Sequence, residues 1–199
     1  GALQSEVSEL KNSYSSYTSD PSAPVPYYPD ITSRRKSDYL IRGQEFVEDR
    51  EDVLTFLSPV LSEDMIVAGG ITAELFASIS TTDADFVVKL IDVGPNGESE
   101  MMVRANIMRG RYRNSFSKPE AFTPGKVERI EVNLTDVAHT FLAGHRIKVQ
   151  VQSSWFPLFD RNPQQFIDIY KAGKEDFIPS QIKIFHDAEH PSAIRFRTM

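Results

Sequence analysis

The amino-acid sequence predicts an all-β domain, a jelly-roll β-sandwich with short helical turns and an irregular N-terminal arm. Apolar and polar residues alternate in many short segments, and turn-forming sequences such as GPNG at Gly94–Gly97 and TPGK at Thr123–Lys126 separate them. No long amphipathic helix intervenes, which favours a sandwich over an α/β fold. The 199 residues can bury a full-sized core in one domain. We expect an arm or connector over residues 1–35 and the jelly roll over residues 36–199.

The predicted arm lacks the alternation of the remaining chain. Apolar residues near its start recur at helical spacing: Leu3, Val7, Leu10, Tyr14 and Tyr17. Serine and asparagine crowd the same segment, and the sequence SDPSAPVPYYP that follows imposes extended geometry. We therefore expect a mostly irregular connector from Ala2 to Arg35.

Alternation with a period of two is clearest at Ile71–Ile79, Arg129–Leu134 and Ile147–Gln152. Each of these segments would place one face toward a core and the other toward solvent. Further strand candidates are Val53–Leu57, Met65–Ala68, Phe86–Val93, Met101–Met108, Gln181–Phe185 and Ile194–Arg197.

Two short helical turns are predicted between the strands. The sequence LTDVAHTFLAG offers Thr135 or Asp136 as an N-terminal cap and Gly144 as a stop. The sequence NPQQFIDIYKAG offers Asn162 as a cap and Gly173 as a terminator.

Composition and charge exclude several function classes. The net charge is −6 and the longest basic cluster is RRK at Arg34–Lys36, which argues against a nucleic-acid partner. No apolar run approaches the roughly 20 residues of a membrane-spanning helix, so we expect no membrane partner. The absence of cysteine excludes disulfides and thiolate chemistry but leaves the compartment open.

No sequence motif of a catalytic or cofactor site is complete. The nucleophile elbow G-x-S-x-G, the phosphate loop and the dinucleotide fingerprint are all missing. The sequence HDAEH, His186–His190, has the residue order of some zinc peptidases, but a strand-like segment precedes it and Pro191 follows it. We therefore expect a tight surface turn there, and neither a metal nor a cofactor.

Two charged motifs favour structural roles. In STTDADF, Asp83 and Asp85 are expected to accept backbone N–H groups in a turn, with a bound cation as the alternative. In RGRYR, Arg109–Arg113, the arginines are expected to pair with acidic residues on a neighbouring strand, with an anion site as the alternative. His139 and His145 are expected to be hydrogen-bonded structural residues.

The sequence SSWFPLFDRNP combines large rings with charges where a strand ends. Pro157 prevents further strand pairing, and Asp160, Arg161 and Asn162 can cap the turn that follows. Trp155, Phe156 and Phe159 could plug one end of the barrel or form an aromatic surface for a ligand or another domain. Large rings at strand ends usually pack inward, which favours the plug.

Several blocks, in order from about Tyr17 to the end, resemble the C-terminal domain of the X-Pro dipeptidyl-peptidase, cocaine esterase and α-amino acid ester hydrolase superfamily. They are YTSDPSAPVPY, DREDVLTFLSPVL, VAGGITAELFASISTTDADFVVKLIDVGPNG, RGRYRNSF, PGKVERIEVNL, FLAGHRIKVQVQSSWFPLFDRNPQ and EHPSAI. Within the superfamily, the chain is most similar to α-amino acid ester hydrolases and glutaryl 7-aminocephalosporanic acid acylases.

The resemblance implies a galactose-binding-like jelly roll that packs on the α/β-hydrolase domain of a serine hydrolase and helps wall its substrate cleft. Its partners would be the hydrolase and cap domains of the parent chain and a small acyl or peptide substrate, with homo-oligomers possible. No catalytic residue can be carried over, because the hydrolase domain is absent. The resemblance implies a periplasmic or secreted location, with a cytoplasmic one as the alternative.

The resemblance also suggests site residues. The loop after the DP..PVP element, Tyr27 to Tyr39, corresponds to a loop that contributes apolar pocket residues in cocaine esterase, so Tyr27, Tyr28 and Ile31 are the candidate wall residues. Trp155, Phe156, Phe159, Asp160 and Arg161 are candidates for a domain interface or a ligand site.

Two functional hypotheses follow. The first is an accessory domain of a serine ester or amide hydrolase, which is inactive alone and carries an exposed apolar surface for the catalytic domain. The second is an independent jelly-roll module that binds carbohydrate or another ligand. The second hypothesis predicts that Trp155 is an exposed stacking platform.

Overall fold

A computed structural model describes residues 1–30, 32 and 34–199. Within these ranges, nine strands alternate with six single-turn 3-10 helices. The strands are β1 (Tyr14–Ser19), β2 (Leu54–Leu57), β3 (Met65–Ile79), β4 (Asp85–Val93), β5 (Glu100–Arg109), β6 (Glu128–Phe141), β7 (Arg146–Gln152), β8 (Ser180–Phe185) and β9 (Ala193–Arg195). The 3-10 turns are Ser37–Leu40, Glu45–Val47, Pro95–Gly97, Gly110–Tyr112, Ile169–Lys171 and Lys174–Asp176.

The strands form two antiparallel sheets. The first has the order β1-β8-β3-β6, with β9 also paired to β3, and the second has the order β2-β7-β4-β5. The pairs β1 with β8, β2 with β7, β3 with β6 and β4 with β5 are all antiparallel. This nested pairing arises when one long hairpin is rolled into a sandwich, which is the jelly-roll arrangement. The predicted fold class is confirmed.

The main core lies between the two sheets. The apolar positions of the alternating segment in β3 all face it and are at most 4% exposed: Ile71, Ala73, Leu75, Ala77 and Ile79. Phe86 of β4 and Phe141 of β6 are fully buried in the same core. Burying each large side chain contributes roughly 1.5–3 kcal/mol relative to leaving it exposed, so this layer is the main source of stability.

The second sheet is covered on both faces. All nine residues of β4 are buried. Val88 and Leu90 face the main core, whereas Val87 joins a second apolar cluster on the opposite face with Tyr27 and Tyr39. We call residues 25–30, 32 and 34–47, which supply those tyrosines, the cover segment. The cover segment turns the outer face of this sheet into a second buried layer.

The predicted helical turn in LTDVAHTFLAG is wrong. These residues continue β6, which pairs with β3 along its length. The register shifts between Ile71 and Thr72 of β3, opposite Thr135, whose φ of +69° marks a bulge. Pairing with a 15-residue neighbour outweighs the local helical spacing. Gly144, with a φ of +87°, lies in the turn between β6 and β7 instead of ending a helix.

The second predicted helix is also largely wrong. Only Ile169–Lys171 of NPQQFIDIYKAG forms a 3-10 turn. The side chain of Asn162 does accept the backbone N–H of Gln164 at 2.8 Å. Gln164, however, has a φ of +63°, which prevents a right-handed helix from starting there.

The arm is mostly irregular, as predicted, except that Tyr14–Ser19 form β1 and pair with β8. Tyr17 and Ser19 point inward and are 4% and 7% exposed. The Tyr17 hydroxyl lies 2.7 Å from the Ser153 hydroxyl, which satisfies a buried polar group. The proposed division of the chain at residue 36 remains a prediction.

Candidate functional site

The RGRYR motif pairs with acidic residues, as predicted. Arg109 lies opposite Asp85 in the β4–β5 register, and Arg109 Nε is 3.3 Å from Asp85 Oδ1. Arg111 Nε donates to Asp83 Oδ2 at 2.7 Å, and the Arg111 backbone N–H donates to Asp83 Oδ1 at 3.1 Å. Arg113 lies 3.8 Å from Glu128. The prediction that Asp83 accepts a backbone N–H is confirmed, whereas Asp85 accepts hydrogen bonds from side chains.

These ion pairs tie the chain after β7 to the second sheet. Asn162 Nδ2 donates to Asp83 Oδ2 at 3.0 Å and to Asp85 Oδ1 at 2.8 Å. Arg111 also donates to the carbonyl oxygen of Ile167 at 2.8 Å. We call this set of residues, Asp83, Asp85, Arg109, Arg111 and Asn162, the ionic clasp.

The clasp requires a close backbone approach at Gly110. The Gly110 N–H donates to the carbonyl oxygen of Ala84 at 2.8 Å, and an added Cβ would lie 2.5 Å from that same oxygen. Burial raises the pKa of Asp85 to about 6, because desolvation outweighs the attraction of Arg109 and the hydrogen bond from Asn162. The groups of the clasp bind one another, and this arrangement is suited to holding a loop.

Trp155 is 4% exposed and packs inward, but it lies in the second cluster beneath the cover segment and does not plug an end of the barrel. Its ring stacks on Phe159 at a centroid distance of 6.0 Å and meets the edge of Tyr39 at 5.8 Å. The Phe156 N–H donates to the Val25 carbonyl, and the Tyr27 N–H donates to the Phe156 carbonyl, both at 2.9 Å. The turn after β7 is therefore fixed directly to the cover segment.

The other predicted residues of this turn are more exposed. Phe156 is half-buried, Phe159 is 37% exposed and Asp160 is exposed. Arg161 donates to the Pro21 carbonyl at 2.8 Å and lies over the ring of Phe177 at 4.8 Å. Of the predicted set, only Phe159 and Asp160 have exposed side chains.

The candidate wall residues lie mostly inside the second cluster. Tyr27 and Tyr28 are 2% and 8% exposed, and Ile31 lies outside the described residues. The Tyr28 hydroxyl donates to Asp38 and accepts from Arg42, both at 3.0 Å. Their role as wall residues stays a prediction, and within this chain both rings pack in the second cluster, on the side of the cover segment that faces the sheet.

Sequence reasoning missed a buried polar layer beneath the cover segment. The alternation in β7 predicted that the side of Lys148, Gln150 and Gln152 would face solvent, but all three are buried. Lys89 of β4 is also fully buried, and its Nζ donates to Gln44 Oε1 at 2.6 Å. The sequence around β7 cannot reveal this layer, because the residues that shield it from solvent belong to the cover segment, which is distant in sequence.

An exposed aromatic groove lies beside the turn after β7, residues 155–162, which we call the tryptophan turn. It encloses about 370 Å³ and is lined by Ile107, Met108, Arg109, Tyr112, Phe116, Leu158, Phe159, Asp160 and Tyr170. Phe116 and Tyr170 are 81% and 84% exposed, which is unusual for rings of this size. Leu158 and Ile107 also pack against the second cluster, so the groove is continuous with the buried layer.

The histidines take structural positions. His139 Nε2 and His145 Nδ1 each lie 2.8 Å from an oxygen of Asp92, which confirms that both are hydrogen-bonded. In HDAEH, Asp187 accepts the backbone N–H groups of Glu189 and His190, and His186 bridges to Pro191, which confirms the tight turn. Across residues 1–30, 32 and 34–199, no group of three or more potential ligands could hold a metal ion. No helix in the same ranges is long and apolar enough to cross a bilayer.

The two antiparallel sheets and their nested strand pairing place the chain in the class of jelly-roll β-sandwich domains. The chain belongs to the family of X-Pro dipeptidyl-peptidase C-terminal non-catalytic domains, which matches residues 4–195. This confirms the superfamily that the sequence motifs suggested.

Known relatives agree with this assignment. Cocaine esterase from Rhodococcus sp. (strain MB1 Bresler) is 34% identical over 98% of this chain and 33% of its own length. An aminopeptidase from a marine sediment Thaumarchaeota archaeon superposes with a TM-score of 0.92 at 42% identity, over 98% of this chain and 34% of that one. A selenomethionine-labelled α-amino acid ester hydrolase superposes with a TM-score of 0.88 at 38% identity, over 94% of this chain and 32% of that one. The chain spans about a third of the length of these relatives.

Proposed function

We propose that the chain acts as the accessory domain of a serine hydrolase that cleaves ester or amide bonds, packing on the catalytic domain and helping to wall its substrate cleft. The family match carries this proposal, since the family is non-catalytic and the similar proteins are an esterase, an aminopeptidase and an ester hydrolase. In such a protein the serine ester chemistry would belong to the other domains, and this chain would contribute shape. The finer resemblance to acylases stays a prediction.

The aromatic groove supports the packing part of the proposal. Phe116 and Tyr170 expose most of their rings and flank Phe159 in one concave surface. Exposed apolar surface of this kind marks an interaction site, because leaving it in water costs free energy that a partner can recover. We assign the groove as the docking surface for the catalytic domain.

The alternative, an independent ligand-binding module, receives less support. It predicts an exposed Trp155 as a stacking platform, but that ring is 4% exposed. The aromatic groove could still stack a sugar, and titration of the chain with simple sugars would detect such binding. Saturable binding that disappears in Tyr170→Ala would favour the alternative.

The decisive experiment compares this chain with the protein in its source cells. An antibody raised against the chain should detect a band about three times its 22.5 kDa, since the chain spans about a third of its relatives. That protein should hydrolyse chromogenic ester or aminoacyl amide substrates, whereas the chain alone should not. A native band at 22.5 kDa would contradict the proposal.

We predict that the isolated chain binds an apolar dye or self-associates through the aromatic groove. Replacing both Phe116 and Tyr170 with serine should abolish most of either effect without lowering the thermal midpoint, because both rings are largely exposed. Leu142→Ser is the matched control, since Leu142 is 48% exposed but lies in the turn between β6 and β7. Equal dye binding by the double variant and the wild type would show that the groove is not the adhesive surface.

A further inference from the structure

The buried layer beneath the cover segment contains a lysine without a carboxylate partner among the described residues. Lys89 is fully buried, and its Nζ has one acceptor, Gln44 Oε1 at 2.6 Å. The Gln44 amide is held in this orientation because its Nε2 donates to the carbonyls of Arg42 and Gly43, at 3.0 and 3.2 Å. The nearest aromatic ring over the ammonium is that of Trp155, with its centroid 5.8 Å from Nζ.

The surroundings favour a neutral amine over an ammonium. An ammonium has three N–H donors, and here only one of them has an acceptor. The layer holds both donors (Trp155 Nε1 and Gln150 Nε2) and acceptors (Gln150 Oε1 and Gln152 Oε1) that lack a partner in the described part of the chain. The neutral form is therefore favoured by the full burial of Lys89 without a carboxylate beside it, and not by these free hydrogen-bonding atoms. Gln150 lies directly opposite Lys89 in the β4–β7 register, where side chains are about 5 Å apart at Cβ.

The other charged groups near the layer form ion pairs among themselves. Lys148 of β7 pairs with Glu100 of β5 and with Glu48, just beyond the cover segment. Glu100 also accepts the backbone N–H of Gln44 at 3.2 Å. These carboxylates are therefore engaged, and none forms an ion pair with Lys89.

Gln44 and Trp155 link Lys89 to the position of the cover segment. Gln44 belongs to the segment, and Trp155 contacts the segment through the edge of Tyr39 at 5.8 Å. Hydrogen bonds from the backbone N–H groups of Tyr27 and Phe156 fix the start of the segment to the tryptophan turn. If the segment lifted from the sheet, Lys89 would become hydrated.

We propose that Lys89 couples the seating of the cover segment to proton binding: the segment is held most firmly over a neutral amine and loosens when the amine takes up a proton. The proposal concerns this chain alone and does not depend on the proposed function. If the segment also walls a substrate cleft, Lys89 would be a positioning residue for that cleft.

The direction in which pH changes the opening of the cover segment follows from proton linkage. Burial lowers the pKa of Lys89 from its ordinary 10.5 to about 7 when the segment is closed. Hydration in an open state restores the ordinary value, so the open state binds the proton more tightly. Opening should become more favourable as the pH falls from about 10 to about 7, by up to about tenfold per pH unit, and should change little below that range.

Hydrogen exchange at the amides of Tyr27, Gln44 and Phe156 tests the proposal. After correction for intrinsic exchange rates, their protection factors should rise between pH 7 and pH 9 by up to about tenfold per unit. In Lys89→Met, which keeps the apolar stem but cannot bind a proton, the protection factors should not depend on pH. Lys126→Met is the control, because Lys126 pairs with Glu128 at the surface and should behave as the wild type does.

Lys89→Met also removes the donor to Gln44 Oε1. A second variant therefore separates the loss of this hydrogen bond from the loss of the proton-binding group. Gln44→Met combined with Lys89→Met removes both partners of the Lys89–Gln44 hydrogen bond, although the carbonyls of Arg42 and Gly43 then lose the Gln44 amide as a donor. The proposal is overturned if the wild type shows pH-independent protection in this range, or if either variant retains the wild-type slope. It is also overturned if amides in the centre of β3 follow the same slope, since that would indicate global unfolding.

Discussion

Replacing Trp155 with alanine should lower the free energy of unfolding by about 3–5 kcal/mol, the usual cost of truncating a large buried ring. Trp155 is 4% exposed and contacts rings from both Phe159 and Tyr39. Its loss would leave a cavity where the tryptophan turn meets the cover segment. Urea denaturation followed by circular dichroism measures the change without relying on the fluorescence of the chain's single tryptophan.

Two further variants show whether the loss comes from the buried ring itself. One replaces the indole with a ring that lacks the N–H, and the other removes a ring at an exposed position. Trp155→Phe should cost less than Trp155→Ala, because the indole N–H has no acceptor in the described ranges and little hydrogen bonding is lost. Tyr170→Ala, at a ring that is 84% exposed, should change stability by less than about 0.5 kcal/mol. A loss below about 1 kcal/mol in Trp155→Ala would contradict the contribution of the ring to the packing of the second cluster.

Replacing Arg111 with methionine should cost about 3–5 kcal/mol, because it leaves the Asp83 carboxylate buried without its ion-pair partner. Asp83 is fully buried and the Arg111 side chain is 10% exposed. Arg111 also donates to the Ile167 carbonyl, so the loop after the tryptophan turn should loosen as well. Urea denaturation gives the stability, and limited proteolysis should detect new cleavage near Ile167.

The matched control for Arg111 is an arginine in an exposed ion pair. Arg129 pairs with Glu74 and Glu131 but is 54% exposed, so Arg129→Met should cost no more than about 1 kcal/mol. Adding Asp83→Asn to Arg111→Met should cost less than the sum of the two single changes, because the unpaired charge is removed. Similar losses for Arg111→Met and Arg129→Met would show that the clasp contributes no more than a surface pair.

The fold class was predictable because it depends on local alternation. The alternating apolar positions of β3 were assigned to the core from their period of two alone, and the structure buries all five: Ile71, Ala73, Leu75, Ala77 and Ile79. The clasp was partly predictable too, since three alternating arginines next to acidic strands have few other stable arrangements. Both inferences needed only residues that are close in sequence or lie on adjacent strands.

The failures occurred where distant segments decide the structure. The helical spacing around Thr135 is outweighed by pairing with β3, and the weak pattern at Tyr14–Ser19 becomes a strand only because β8 lies beside it. The polar face of β7 looked solvent-exposed because nothing near it in sequence indicates the cover segment. The exposed groove could not be foreseen either, since Phe116 and Tyr170 are more than 50 residues apart.

The nested strand pairing has a consequence for how the chain folds. Tyr14 pairs with Phe185, so β1 has no hydrogen-bonding partner until nearly the whole chain has been synthesised. Contacts this distant in sequence slow folding, because the entropy of closing the loop is lost before most of the stabilising pairs form. During synthesis, β3 would expose one edge until β8 arrives, and an unpaired edge can add strands from other molecules. Aggregation of chains that stop before β8 is therefore the expected failure in making this domain.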